Sequence, residues 1–274
     1  MTTAPPLQIR GAALRRGDHT LWSGLDLEVQ PGELIAVLGP SGSGKTTLLR
    51  AILGLEPLSA GSIHALGTEV RRPGNRRIGY IPQQRPLPAE TPLRGRDLVG
   101  LGVDGHRFGF PFPRRGDRAR IDRLVREVGA EDFADRPVGL LSGGEQQRLR
   151  VGQALADAPP LLLCDEPLTS LDLANQQAVV RLIDRHRRNT GAAVMLVTHD
   201  INPVLGKVDR ILYLAGGRFM LGRPDDVLNS RVLSDLYGAP VYVLRAADRL
   251  VVVGAPDAED THHHHHHHDS EGGH

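Results

Sequence analysis

The sequence predicts an α/β fold with a parallel sheet, an N-terminal antiparallel β portion and an inserted α-helical subdomain. Three apolar runs, "LIAVL", "PLLLCDE" and "AAVMLVTHD", indicate strands, and the first is of the fully apolar kind that suits the middle of a sheet covered on both faces. Helical patterns alternate with these strands, as they do in parallel sheets. Between about 84 and 140 the character of the chain changes, which indicates the insertion.

Each element follows from its local pattern. An alternating strand in "LWSGLDLEVQ" and a turn at Pro31–Gly32 precede the apolar strand at 34–38. Residues 45–54 follow as a helix that Gly54 can end. The segments "GSIHALGTEV" and "RRIGYIPQ" supply further short strands.

The insertion begins with a segment, 84–116, that is rich in proline, glycine and arginine, and we expect it to be irregular and exposed. Helical spacing then recurs at Ile121, Leu124, Val125 and Val128. The core resumes with a helix at about 143–157, followed after "PLLLCDE" by the helix "ANQQAVVRLIDRHRRNT" and the strand "AAVMLVTHD". "RILYLAGGRFMLG" and a small hairpin, "VYVLRAADRLVVVG", come last.

Composition excludes several classes of protein. The chain has 274 residues, of which 40% are hydrophobic, so a sizeable core is expected. The 33 basic and 32 acidic side chains nearly cancel, which argues against a general nucleic-acid binder. Cys164 is the only cysteine, so we expect no internal disulfide and a reducing cytosol. The start, "MTTAPPLQIR", lacks the apolar run of a signal peptide, and no segment approaches the roughly 20 apolar residues of a membrane span.

A phosphate-binding loop is predicted directly after the first apolar strand. "GPSGSGKT" matches G-x-x-x-x-G-K-[ST], in which glycines let consecutive N–H groups face a phosphate and the helix N-terminus adds a favourable dipole. A lysine here can reach the β- and γ-phosphates and the next hydroxyl can ligate Mg²⁺; the strand–loop–helix context disfavours a chance glycine-rich turn. The candidate nucleotide-binding residues are Gly39, Pro40, Ser41, Gly42, Ser43, Gly44, Lys45, Thr46 and Thr47.

Two acids end the strand "LLLCDEP". Asp165 is placed beside the phosphate loop, where it can hold Mg²⁺, and Glu166 can polarise an attacking water. The alternative is that the pair caps the following helix, and a neighbouring phosphate loop makes this interpretation less favoured.

The segment "LLSGGEQQRLR" at 140–150 points to one particular family of phosphate-loop proteins. Ser142, Gly143, Gly144 and Glu145 open a helix, which is either an anion-binding N-terminus or a capping box, and both can hold at once. "LSGGEQQR" resembles the signature motif of ATP-binding cassette (ABC) ATPases. The resemblance covers about residues 7–225 and implies a P-loop NTPase (RecA-like) core that binds ATP and Mg²⁺.

The resemblance assigns further roles by position. Gln83 resembles the glutamine that senses Mg²⁺ and water, Asp172 in "TSLD" the acid of the loop that contacts the second subunit, and His199 the switch histidine. The implied catalytic residues are Glu166, His199, Gln83 and Lys45, and Mg²⁺ is implied at Thr46, Gln83 and Asp165. Two copies would sandwich two ATP molecules, with Ser142, Gly143, Gly144 and Glu145 acting in trans.

One position departs from the family pattern. Where the family usually stacks an aromatic ring on adenine, this chain has Arg16. An arginine can stack on a base face, or Arg16 is merely solvated.

The implied function is transport. The chain would be the ATPase subunit of an ABC transporter, a homodimer at the cytoplasmic face of the membrane, with a separate integral permease, an extracytoplasmic solute-binding protein and no nucleic acid. "RDLVGLGVDGHRFG" resembles the branch that imports zinc or manganese; another cargo, or a non-transport ABC scaffold, is the alternative. The expected parts are the first ATP-binding core segment (1–83), a helical and signature subdomain (84–150), the second core segment (151–225), an extension (226–254) and a disordered His-rich tail (255–274).

Two clusters, one of phenylalanines and one of histidines, each allow two interpretations. Phe108, Phe110 and Phe112 are either contacts for the membrane partner or part of the core. The run from 262 to 268 is either a loose site for zinc-like metals or a purification tag. Its members are His262, His263, His264, His265, His266, His267 and His268.

Overall fold

The computed structural model describes residues 4–83, 87–105, 116–246 and 249–254, without the side chain of Asp104. In chain order its strands are β1 (Leu7–Arg16), β2 (His19–Val29), β3 (Leu34–Leu38), β4 (Ala60–Ala65), β5 (Thr68–Glu69), β6 (Ile78–Ile81), β7 (Leu161–Asp165), β8 (Ala193–Val197), β9 (Arg210–Ala215), β10 (Arg218–Gly222), β11 (Tyr242–Ala246) and β12 (Arg249–Val253). Its α-helices are α1 (Lys45–Ile52), α2 (Gly95–Asp104), α3 (Asp117–Glu127), α4 (Gly143–Leu155), α5 (Leu173–Thr190), α6 (Pro224–Val227) and α7 (Ser230–Tyr237).

The central sheet has the order β10-β9-β3-β8-β7-β6 and is parallel except for the β9–β10 hairpin. Its register aligns Val37 with Val197, and Val197 with Asp165. The carboxyl ends of β3, β7 and β8 therefore meet at one edge of the sheet. The segments that follow these strands carry the candidate site residues.

Two cores cover the two faces of this sheet, as the period of two along a strand requires. Ile35 and Val37 of β3 pack with α1 and with the antiparallel sheet β2-β1-β4-β5. Leu34, Ala36 and Leu38 pack on the other side, in the core that includes α4 and α5. The fully apolar sequence of β3 follows from this double burial. The predicted fold class, including the N-terminal antiparallel portion, is confirmed.

Helices α2, α3 and α4 pack together as the predicted inserted helical part. The expectation that 84–116 is irregular is wrong for 95–104, which form α2. Glycines at 95, 100, 102 and 105 hid the pattern, but Leu98, Val99 and Val103 bury one face of this helix. An added Cβ at Gly102 would lie 2.2 Å from the carbonyl oxygen of Gln153, so α2 approaches α4 more closely than an alanine would allow.

The predicted division at 150/151 falls inside α4, which continues to Leu155. The domain bounds otherwise stay a prediction. The C-terminal hairpin predicted in "VYVLRAADRLVVVG" is present as β11 and β12. Within the described ranges, no helix combines the length and apolarity that crossing a bilayer requires.

Candidate active site

The phosphate loop lies between β3 and α1, as predicted. Gly39 and Gly44 have φ values of 142° and 89°, which L side chains rarely adopt. The Nζ atom of Lys45 donates hydrogen bonds to the carbonyl oxygens of Gly39 and Pro40, both at 2.8 Å. Burial lowers the pKa of Lys45, and the carboxylates of Glu166 and Asp165 oppose that shift. The side chain of Lys45 is thus buried and hydrogen bonded to the backbone of the phosphate loop itself.

Asp165 lies beside the start of α1. Its Oδ1 accepts a hydrogen bond from the Thr46 hydroxyl at 2.9 Å, and its Oδ2 accepts one from the Tyr80 hydroxyl at 3.3 Å. Burial raises the pKa of the Asp165 carboxyl, partly offset by these two hydrogen bonds. Burial and the nearby Asp165 raise the pKa of Tyr80 to about 12. The predicted pair Thr46–Asp165 is therefore in direct contact.

Glu166 sits at a strained backbone position, with a φ of 46°. Its N–H donates to the carbonyl oxygen of Val197 at 3.0 Å, which ties it to the end of β8. Its Oε2 accepts hydrogen bonds from the Gln83 amide at 3.2 Å and from the Thr169 hydroxyl at 3.1 Å. Nδ1 of His199 lies 3.8 Å from the same oxygen. Groups from three loops thus converge on one carboxylate oxygen.

His199 does not end a strand. Strand β8 stops at Val197, and Thr198 begins the loop by accepting at its Oγ1 a hydrogen bond from the N–H of Asp200 at 3.2 Å. The sequence alone extended the strand because the apolar run continues into Thr198, a β-branched residue that also suits a strand. The correction leaves His199 at the predicted edge of the sheet, with its side chain 62% exposed.

The signature residues open α4 with a capping box. The Ser142 hydroxyl accepts from the N–H of Glu145 at 3.3 Å, and Glu145 accepts from the N–H of Ser142 at 2.7 Å. An added Cβ at Gly144 would lie 2.3 Å from the side chain of Asn175. That side chain donates to Asp172, which also caps α5 through the N–H of Asn175. The signature helix and the Asp172 loop therefore form one packed surface.

Several predicted residues stay outside this network or outside the structure. Arg16 is exposed at the end of β1, opposite His19, so its role stays a prediction. The candidate docking residues Phe108, Phe110 and Phe112 lie outside the described residues. The histidine run from 262 to 268 lies outside them as well.

Sequence reasoning missed two residues that touch the site, Tyr80 and Thr169. Each hydrogen bonds to one of the two acids. In the sequence "IGYIP", Tyr80 looks like any aromatic residue of a strand. Only the pairing of β6 with β7 brings its side chain to Asp165. Thr169 begins the "TSLD" segment, and its place three residues after Glu166 is a spacing that allows a local hydrogen bond.

Comparison with known proteins agrees with this arrangement. Residues 22–169 match the ABC transporter family. The chain is 38% identical, over 82% of its length and 86% of the relative's, to the zinc import ATP-binding protein ZnuC of Cereibacter sphaeroides. It is 28% identical, over 91% and 98%, to the manganese transport system ATP-binding protein MntB of Halalkalibacterium halodurans.

A solved structure shares the fold. The ATP-binding cassette MJ0796, a dimer in a post-hydrolysis state bound to ADP and Pi, has a TM-score of 0.66 and 27% identity, covering 79% of this chain and 98% of that one. The family match spans the phosphate loop, the signature motif and both acids of the β7 strand end. The chain therefore belongs to the ABC transporter family, as an ATP-binding subunit that hydrolyses ATP.

Proposed function

We propose that this chain powers the import of a divalent metal ion, zinc or manganese, as a homodimer attached to a separate membrane permease. The names of the zinc and manganese proteins at 38% and 28% identity support this cargo class. Their matches extend over more than four fifths of both partners in each comparison. The metal is cargo and passes through the permease, not through this chain.

The convergence on Oε2 of Glu166 is the observation that carries the catalytic proposal. Gln83, Thr169 and His199 hold or approach this one oxygen. We propose that the other oxygen, Oε1, orients the attacking water. Water then attacks the γ-phosphorus, the bond to the β–γ bridging oxygen breaks, and ADP and inorganic phosphate are released. Positioning and charge stabilisation supply most of the rate enhancement in such a transfer.

The residues at the end of β7 fit a magnesium ion. The carboxylate of Asp165 and the hydroxyl of Thr46 are hard oxygen donors in contact, at 2.9 Å, and the amide oxygen of Gln83 is a third oxygen donor near the adjacent Glu166. Burial raises the pKa of Asp165, as expected for a carboxylate whose charge lacks a full counterion. When bound, Mg²⁺ would neutralise phosphate charge. Thr46, Gln83 and Asp165 would hold it.

We propose that each ATP lies between the phosphate loop of one copy and the signature motif of the other. Lys45 and the amides of Gly42–Thr47 would hold the phosphates from one side. The N-terminal amides of α4, at Gly143 and Gly144, would face the γ-phosphate from the other. The packing of Gly144 against Asn175, which Asp172 holds, supports a shared role of the signature motif and the Asp172 loop in contacting the second copy.

The permease is proposed to dock on the helical part of the chain, at the cytoplasmic face of the membrane. A cavity of about 560 Å³ lies between α2 and α3, and Leu101 on its rim is exposed. Phe108, Phe110 and Phe112 follow α2 directly in sequence. An affinity-tagged full chain should retain a multi-span protein when purified from detergent-solubilised membranes. Recovery without any membrane protein would contradict this part of the proposal.

The histidine run from 262 to 268 is proposed to bind zinc loosely on the cytosolic side. Neutral imidazoles suit Zn²⁺, and their protonation at lower pH makes such binding pH-dependent. Calorimetric titration of the full chain with zinc at pH 7 should show binding that a chain ending at Gly254 lacks. Equal zinc binding by the full and the shortened chain would mean that zinc binds outside the histidine run.

The cargo is tested in cells that lack this gene. During growth with a zinc and manganese chelator, such cells should hold less of the imported metal than wild-type cells, as measured by mass spectrometry. The wild-type gene should restore the metal content, and a Glu166→Gln gene should not. Unchanged zinc and manganese, with loss of a different solute, would refute the metal cargo and leave the ATPase assignment intact.

A further inference from the structure

The C-terminal hairpin of β11 and β12 exposes an apolar face. Its register pairs Tyr242 with Val253 and Leu244 with Val251, which places these four side chains on one face. Their exposed fractions are 60%, 46%, 55% and 48%. We refer to these four residues as the hairpin face. Large apolar side chains gathered on one exposed face are typical of an interaction surface.

The opposite face of the hairpin is anchored to the core. Leu250 is only 6% exposed, and Val243 packs against the core that includes α7. Burial of one face and exposure of the other means that the hairpin cannot turn its apolar side chains inward without exposing Leu250. A two-stranded sheet is marginally stable by itself, so it depends on this packing.

Hydrogen bonds fix both strands of the hairpin. The Asn202 side chain accepts from the N–H of Leu250 at 2.8 Å and donates to its carbonyl oxygen at 3.0 Å. The N–H of Val243 donates to the Ser230 hydroxyl at 2.9 Å, and Arg245 pairs with Asp225 at 2.5 Å. Both strands that carry the hairpin face are therefore attached to the rest of the described chain.

The hairpin adjoins the nucleotide site. Val251 and Val252 line a cavity of about 350 Å³ together with Gly39 of the phosphate loop and His199. Asn202, which anchors β12, is three residues from His199. One residue of the hairpin face, Val251, thus lies beside the surface on which ATP joins two copies in the proposed function. The dimeric cassette MJ0796, with 27% identity, shows that two copies associate in a related fold.

We propose that the hairpin face packs against the same face of a second copy of this chain, as a contact that does not need ATP. Two twisted two-stranded sheets can pack face to face, and a two-fold axis makes such a surface self-complementary. The chain beyond Gly254, "APDAEDTHHHHHHHDSEGGH", has only two alanines and a proline as apolar side chains. It therefore offers no matching partner for four large apolar residues, whereas a second hairpin offers an equal set.

The contact has a role in the ATPase cycle, and this part rests on the proposed ATP-dependent dimer. The hairpin face is small, so the association through it should be weak by itself. A weak tether still raises the effective concentration of one copy near the other. The two nucleotide sites could then reopen after hydrolysis without the copies separating fully.

Sedimentation velocity of the full chain without nucleotide tests the proposal. The wild-type chain should associate as concentration rises, and the double variant Leu244→Thr/Val251→Thr should weaken this association about tenfold or more. Threonine keeps the β propensity of both strands. The matched control is Leu55→Thr, which alters a residue that is 52% exposed outside the hairpin and should associate like the wild type. A monomeric wild-type chain, or equal association of the double variant, would overturn the proposal.

Two further experiments distinguish this contact from docking of the tail and from the ATP-dependent dimer. A chain ending at Gly254 should associate like the full chain, and a gain of association on truncation would show that the tail covers the hairpin face instead. In a Glu166→Gln background with Mg-ATP, the double variant should still dimerise. Loss of the ATP-dependent dimer in the Glu166→Gln chain itself would refute the proposed composite site, and would leave the hairpin contact to the nucleotide-free measurement.

Discussion

Gly39 and Gly44 leave room for neighbouring strands to pack against the phosphate loop. An added Cβ at Gly39 would lie 2.0 Å from the carbonyl oxygen of Leu214 on β9, and one at Gly44 would lie 2.9 Å from Nε1 of the buried Trp22. The motif predicts that glycines let the loop curl around a phosphate. The structure adds that two of them let neighbouring strands approach the loop.

Substitution of these glycines by alanine should therefore have unequal effects. Gly42 has a φ of 76° but no atom within 4 Å of an added Cβ, so Gly42→Ala should cost only the backbone strain of about 1–2 kcal/mol. Gly39→Ala adds a clash with backbone and should cost about 1–3 kcal/mol more. Chemical denaturation of both variants measures the difference. Equal stability would mean that β9 moves away from the loop at little cost.

Asp165 is a buried carboxyl with a raised pKa, and this predicts a pH dependence of stability. Between the unfolded pKa, near 3.8, and the raised folded pKa, the folded state binds more protons than the unfolded state. The stability of the wild type relative to Asp165→Asn should therefore fall as the pH rises through this window, and then stay constant. Denaturation of both proteins without nucleotide or divalent metal, across a pH series, measures this change.

Asp172 provides a control of opposite sign. Hydrogen bonds from the backbone N–H and the side chain of Asn175 lower the pKa of Asp172. The stability of the wild type relative to Asp172→Asn should rise as the pH increases through the lowered folded pKa towards the unfolded value. A stability difference for Asp165→Asn that does not vary with pH would contradict the raised pKa.

At the scale of elements, helix α4 combines a structural cap with a proposed phosphate contact. Ser142→Ala removes the hydroxyl that accepts from Glu145 and should destabilise the protein by about 1 kcal/mol. Ser142→Asp keeps a capping oxygen but adds a negative charge where the γ-phosphate is proposed to lie. It should retain near wild-type stability and lose most of the ATPase activity. Thermal denaturation and phosphate release, measured on both variants, separate the two roles.

If Ser142 only caps the helix, Ser142→Asp should hydrolyse ATP at nearly the wild-type rate. Ser142→Thr is the matched control, because it retains both the hydroxyl and the neutral charge. We expect it to keep more activity than Ser142→Asp. The sequence supported both roles of Ser142, and the capping box in the structure confirms the first.

Elements differ in how well their sequences predict them. Strands β3, β7 and β8 are predictable because burial on both faces leaves an unbroken apolar run. Helix α2 is not predictable in this way. The glycines that permit its close approach to α4 cannot be told from loop glycines in the sequence alone. The strand limit before His199 fails for another reason: the β-branched Thr198, directly after the apolar run, suits a strand as well as a turn.

At the scale of the whole molecule, the meeting of the candidate site residues at one edge of the sheet was predictable, but most of their contacts were not. The motifs predict Lys45, Asp165 and Glu166 as site residues, and the family resemblance adds His199. The hydrogen bonds of Tyr80 and Thr169 depend on strand order and on the strained backbone of Glu166, which no local pattern encodes. The hairpin was predictable from alternation, whereas its exposed face depends on how Asn202 anchors it.

The central claim is that two copies enclose ATP and that Glu166 then directs its hydrolysis. The most direct test is the Glu166→Gln chain, incubated with Mg-ATP at a concentration where it is monomeric without nucleotide. Glutamine keeps the size of the side chain but removes its charge, so hydrolysis should fall about 10²-fold or more. The protein should accumulate as a dimer that holds two ATP molecules, as measured by sedimentation and nucleotide content. A Glu166→Gln chain that stays monomeric with bound ATP, or that hydrolyses ATP at the wild-type rate, would contradict the account.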